Sequence, residues 1–169
     1  MSEPKWLDAY SGQTTAELID LEEEYRTDSL VLAFEQALQQ KVDRVGNDNL
    51  SDAERVVLAV EALEREVNSG GYSQFFFNSS NEFTPIVVHS LGAIGCSEVA
   101  ELTQLAIDML GINGPITVDA IDCVMENESD ELEERLDVCD EQYYKVAGDL
   151  SGPLFEFIKA NRDEITLGE

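Results

Sequence analysis

From Asp119 to Glu141, eleven of 23 residues are acids and Arg135 is the one base among them. The acids are Asp119, Asp122, Glu126, Glu128, Asp130, Glu131, Glu133, Glu134, Asp137, Asp140 and Glu141. On a helical wheel of about 100° per residue, all of these but Glu128 and Glu131 occupy an arc of roughly 120°. Ile121, Val124, Met125, Leu132, Leu136, Cys139 and Tyr143 take the opposite side. The pattern predicts an amphipathic helix with its apolar stripe inward and its charge outward. Asn127-Glu128-Ser129 is where such a helix would break, and either half alone still keeps acids away from the apolar stripe.

The rest of the chain is punctuated in the same helical way. Thr15 can cap a segment through Tyr25, and Thr27 or Asp28 a second one to Gly46, with Leu30, Phe34, Ala37, Leu38 and Val45 at helical spacing. Ser51 and Glu54 form a capping box that opens a helix through Val57, Val60, Leu63 and Val67, closed at Asn68-Ser69-Gly70-Gly71. A short aromatic segment, Tyr72 to Asn78, follows. Thr84-Pro85 starts a helix to Gly95, and Ser97 with Glu98 one to Gly111. Further segments read Thr117 to about Glu126, Ser129 to about Gly148, and Leu154 to about Glu164 after Gly152-Pro153. No strand-like alternation, repeat or low-complexity linker interrupts them. The expected fold is all-α: a single compact multi-helix domain over residues 1–169, of roughly seven to nine helices.

Charge narrows the partners. The chain has 36 acids against 10 bases, a net charge of −26. A surface field of that sign repels nucleic acid and anionic membranes and attracts basic proteins or cations. No apolar run is long enough to span a membrane, and the N-terminus from Met1 to Trp6 lacks the basic-then-apolar pattern of a signal peptide. Cys96, Cys123 and Cys139 are odd in number, without Cys-x-x-Cys spacing, which suits buried thiols in a reducing compartment. A cytoplasmic protein, monomer or homodimer, is expected.

Catalytic chemistry finds little support. His89 is the only histidine, between Val88 and Leu91 on a helix, and reads as a satisfied, partly buried side chain. No nucleophile-elbow, phosphate-loop or zinc motif occurs. The window Asp43 to Glu54 has acids at both ends like a calcium loop, but Val45 and Asp48 occupy positions that the loop needs for a ligand and a glycine. Neither an enzyme nor a metal or cofactor site is expected.

The run Glu64-Arg65-Glu66-Val67-Asn68-Ser69-Gly70-Gly71-Tyr72-Ser73-Gln74-Phe75-Phe76-Phe77-Asn78 carries a recognisable signature. Its Asn-x-Gly-Gly-aromatic-x-Gln-Phe-Phe-x-Asn pattern resembles that of the bacterial DNA-mimic protein family, with the likeness strongest over residues 50–112. The resemblance implies an all-helical fold without known catalysis, in which binding to a DNA-binding transcription factor blocks its operator. The motif itself reads as structural. Gly70 and Gly71 permit a sharp reversal, Tyr72, Phe75 and Phe76 plug the core, and Asn68, Gln74 and Asn78 satisfy exposed backbone ends.

The acids that would do the mimicry lie outside that motif, and their assignment rests on spacing. At about 1.5 Å per residue, residues 119–141 place roughly one acid per 3 Å, close to the phosphate spacing of about 3.4 Å along a DNA strand. Asp119, Asp122, Glu126, Asp130, Glu133, Glu134, Asp137, Asp140 and Glu141 are the expected partner-binding face, and Glu22, Glu23, Glu24, Glu61 and Glu64 a second acidic row if folding aligns them. The partner would be a basic transcription regulator or nucleoid protein. Other readings are an immunity protein against a toxin such as a nuclease, a halophile-type acidic surface, and a small-ligand pocket at the Gly-Gly turn.

Overall fold

The computed structural model describes residues 3–168; Met1 and Ser2, at the start of the stretch read for a signal peptide, lie outside the described residues. Among these residues the fold is all-α, with eight helices: α1 (Thr15–Asp20), α2 (Thr27–Val45), α3 (Asp52–Phe77), α4 (Thr84–Ala93), α5 (Ser97–Met109), α6 (Val118–Glu126), α7 (Asp130–Val146) and α8 (Ser151–Ala160). Short 3-10 turns cover Asn47–Asn49, Ser79–Phe83 and Arg162–Glu164. No described helix is long and apolar enough to cross a membrane.

The chain divides into two compact units, one built from the described residues through Glu61 with those from Ser151 on, the other from Ala62–Leu150. In the first, α2 packs on α8 and α1 on α2, around a core that includes Leu18, Leu30, Phe34, Leu38, Leu154 and Ile158. The predicted capping box is present: Ser51 N donates to Glu54 Oε1 at 2.8 Å and Glu54 N to Ser51 Oγ at 3.1 Å. Glu54 also takes Lys41 Nζ at 2.6 Å and Thr166 N at 3.0 Å, so this buried carboxylate gathers three segments.

Several boundaries differ from expectation. Thr14, not Thr15, caps α1, because Thr14 and Glu17 form the capping box there. The helix ends at Asp20 rather than Tyr25, since Tyr25 pairs with Lys5 in an isolated bridge. Gly152 and Pro153 lie inside the first turn of α8, where a proline's missing N–H costs nothing. The aromatic segment after Gly71 is helical.

The second unit holds the rest of α3 with α4 through α7; α5 packs on both α4 and α7. Its core includes Val67, Tyr72, Phe75, Phe76, Leu91, Ile107, Ile121, Leu136 and Tyr143. Residues 119–141 are two helices. Asn127 Nδ2 donates to Cys123 O at 2.9 Å to close α6, and Ser129 Oγ accepts from Leu132 N at 3.1 Å to open α7. The continuous 23-residue row is therefore broken where the sequence allowed a break.

Candidate functional site

The family-like run forms a tight polar lock. Gly70 and Gly71 leave helical geometry inside α3, and Gly71 has φ +77°, a backbone conformation that glycine adopts without penalty. A Cβ on Gly71 would collide with the carboxylate of Asp140. That carboxylate is there because the chain restarts as helix at Tyr72, whose N–H donates to Asp140 Oδ1 at 2.7 Å. Burial pushes the Asp140 carboxyl above its ordinary range; the bond from Tyr72 N–H pulls the other way and the charge of Asp137 adds to the rise.

Behind the turn, Tyr72, Phe75 and Phe76 are all 0% exposed. The Tyr72 ring meets Tyr143 edge-on at 6.0 Å, Phe75 meets Phe76 at 5.6 Å, and the Tyr72 hydroxyl shares a 2.8 Å hydrogen bond with Thr103. Burial raises the Tyr72 phenol, which stays neutral in this setting. These side chains fill the space behind the Gly-Gly turn, where the sequence leaves a small-ligand pocket open as one reading.

The amides of the motif act differently from expectation. Gln74 Nε2 and Asn78 Nδ2 each donate to Glu66 Oε2 at 2.9 Å, and Ser80 Oγ donates to Glu66 Oε1 at 3.3 Å. They hold a carboxylate that is 9% exposed rather than capping backbone ends; Asn68 is exposed. The backbone end is met by Asn81, which donates to Phe76 O at 2.9 Å and to Asp122 Oδ1 at 2.8 Å. Glu66, Asn81 and Thr103 are the site residues that the sequence reading did not assign. Glu66 alone left a signal, as an acid about 60° from Leu63 on the apolar side of its helix.

The predicted acidic face separates into two groups. Asp119, Glu126, Asp130, Glu133, Glu134, Asp137 and Glu141 are exposed. Asp122 and Asp140 are half-buried and engaged by Asn81 and Tyr72, so they serve the fold as internal acceptors. On α7 alone, Asp130, Glu133, Glu134, Asp137 and Glu141 fall within an arc of about 100°, centred roughly 140° from the buried stripe of Leu132, Leu136, Cys139 and Tyr143. Arg135 is turned to the flank, where it pairs with Glu131 at 2.7 Å, outside that arc.

The second row is corrected. Glu61 is 8% exposed and presents no surface charge, and Glu64 is half-buried with its Oε2 accepting from Leu150 N at 3.0 Å. Glu22 pairs with Lys159 at 2.9 Å and Glu24 with Lys5 at 3.7 Å, which leaves Glu23 as an exposed acid of the five without an ion pair among the described residues. His89 is exposed rather than partly buried, and Cys123 is exposed while Cys139 is buried against Met109.

The described residues thus form an all-helical, strongly acidic protein with an aromatic core packed behind a Gly-Gly turn and a helix, α7, lined outward by carboxylates. Residues 48–161 match the family model described as DMP19-like protein, and the chain belongs to that family. The match takes in α3 through α8 whole, well past residues 50–112, where the likeness is strongest in the sequence. Comparison with curated proteins and with solved structures gives no match.

Proposed function

We propose that this protein occupies the basic DNA-binding site of a transcription regulator or nucleoid protein and so blocks its DNA binding, with the exposed acids of α6 and α7 standing in for phosphates. The observation that carries this reading is the outward arc of α7. Five exposed carboxylates from Asp130 to Glu141 are spaced roughly one per 3–4 Å of helix, and the nearby Arg135 pairs with Glu131 off that arc. DNA presents one phosphate per about 3.4 Å along a strand.

Such a row is costly in isolation. Like charges at i,i+4 (Asp130/Glu134, Glu133/Asp137, Asp137/Glu141) each destabilise a helix by about 0.2–0.5 kcal/mol. Burial of Leu132, Leu136, Cys139 and Tyr143 offsets that, as does the Ser129 cap, and acids in the first turn favour the helix dipole. Family membership supports the same reading. The test is retention of lysate proteins on the immobilised chain. DNA-binding proteins retained at low salt should elute with added duplex DNA, and Glu133→Lys, Asp137→Lys and Glu141→Lys together should abolish their retention. Retention that survives this triple reversal, or that duplex leaves untouched, contradicts the proposal.

A further inference from the structure

Phe77 is 66% exposed, an unusual placement for a phenylalanine next to Phe76 of a packed aromatic core. It occupies the variable position of the Gln-Phe-Phe-x-Asn run, so nothing in the signature calls for it. It lines an open groove of about 340 Å³ with Asn78, Asn81, Glu82, Val118 and Asp122. Phe77 and the exposed Val118 supply apolar surface, Glu82 and Asp122 supply two carboxylates, and no base lines the groove.

One wall is held rigid from behind. Asn81 is 3% exposed and spends one amide hydrogen on Phe76 O and the other on Asp122 Oδ1, which fixes the Asp122 side chain without cancelling its charge. A site of this kind suits a flat cation with apolar faces. Guanidinium is planar, weakly hydrated, stacks on aromatic rings and forks onto carboxylates, whereas an ammonium is a compact, strongly hydrated point charge. We infer that this groove seats an arginine side chain of the basic partner, its guanidinium over the Phe77 ring and paired with Glu82 and Asp122. The preset Asp122 reduces the ordering that binding would otherwise require. The partner's being a basic protein rests on the function proposed above; the preference for arginine over lysine rests on the groove alone.

The experiment uses the full chain, isotope-labelled for NMR, titrated with hexa-arginine and separately with hexalysine at one ionic strength. Hexa-arginine should bind several-fold more tightly and shift Phe77, the Val118 methyls and the Asn81 side-chain amide. Phe77→Ala, at an exposed position, should weaken hexa-arginine about fivefold while leaving hexalysine within about twofold. Glu82→Gln should weaken both. Equal affinity for the two peptides, an unaltered hexa-arginine affinity in Phe77→Ala, or unmoved Val118 and Asn81 signals would each overturn the inference. The charge-reversed α7 triple separates the two proposals. If it keeps the Phe77-dependent arginine preference but DNA competition never occurred in the wild type, mimicry fails and the groove stands. If competition occurs and the preference does not, the groove fails and mimicry stands.

Discussion

The unit around α2 and α8 and the unit around α5 and α7 each carry 18 acids, against seven bases in the first and three in the second. The first unit brings cations to its carboxylates. Lys41 reaches Glu54 at 2.6 Å, Lys159 reaches Glu22 and Glu156 at 2.9 and 2.8 Å, and Arg26 reaches Asp28 at 2.6 Å. The second unit brings neutral donors to the carboxylates that it uses structurally: Tyr72 N–H for Asp140, Asn81 for Asp122, Gln74, Asn78 and Ser80 for Glu66. A lysine that holds a carboxylate also erases its field. An amide holds it and leaves the field intact. The second unit can therefore build a polar lock and still keep a net charge of −15 over its length.

The largest expected effect breaks the lock at its tightest point. Gly71→Ala forces a side chain into a conformation reserved for glycine and onto Asp140, and should cost about 3–5 kcal/mol in chemical denaturation. A loss below about 1 kcal/mol would mean that the turn relaxes without it.

Next come paired deletions that contrast the two strategies. Lys41→Met leaves Glu54 buried without its cation and should cost about 3 kcal/mol. Glu66→Ala leaves Gln74, Asn78 and Ser80 without their acceptor and should cost about 2 kcal/mol. Near-silence of either variant would break the contrast.

Asp140 sharpens it further. Its carboxyl is raised by burial, so the folded protein binds that proton more readily than the unfolded chain does. Its favourable contribution is thus complete below the ordinary carboxylate range and is lost as pH rises through the raised value. Asp140→Asn keeps an acceptor for Tyr72 N–H and removes the titration. The stability of wild type minus that of Asp140→Asn should fall as pH rises from the ordinary carboxylate range through the raised value, and a flat difference would contradict burial as the cause.

The smallest effect concerns the exposed arc. Glu133→Gln, Asp137→Asn and Glu141→Gln together relieve like-charge pairs and should stabilise the protein by about 0.5 kcal/mol at low salt, with the gain fading at high salt. Destabilisation instead would show that these carboxylates serve the fold.

Much of this fold was legible in the residues because caps and stripes are local. The Ser51–Glu54 box, the break at Asn127–Ser129 and the Thr117 cap of α6 all follow from neighbours within a few positions. The all-helical class and the one-sidedness of α7 follow likewise. What escaped was every contact that depends on distant segments. Asp140 reads as one more acid of a row until α7 lies beside Gly71, 69 positions earlier, and Asp122 until Asn81 reaches it. Gln74 and Asn78 read as donors for backbone ends in the sequence because a wheel does not reveal that Glu66 faces them. The second row failed for the same reason, since Glu61 and Glu64 turn inward.

In the proposed function the exposed arc of α7 replaces a phosphate strand in a basic site. The direct measurement is competition: a DNA-binding protein captured by the chain, bound to fluorescent duplex, is titrated with wild type and with the Glu133→Lys, Asp137→Lys, Glu141→Lys variant while anisotropy is read. Wild type should displace the duplex stoichiometrically, less effectively as salt rises, and the variant should fail to displace it while keeping its helical dichroism. Equal displacement by both proteins, or binding of wild type alongside the duplex without displacement, would contradict the account.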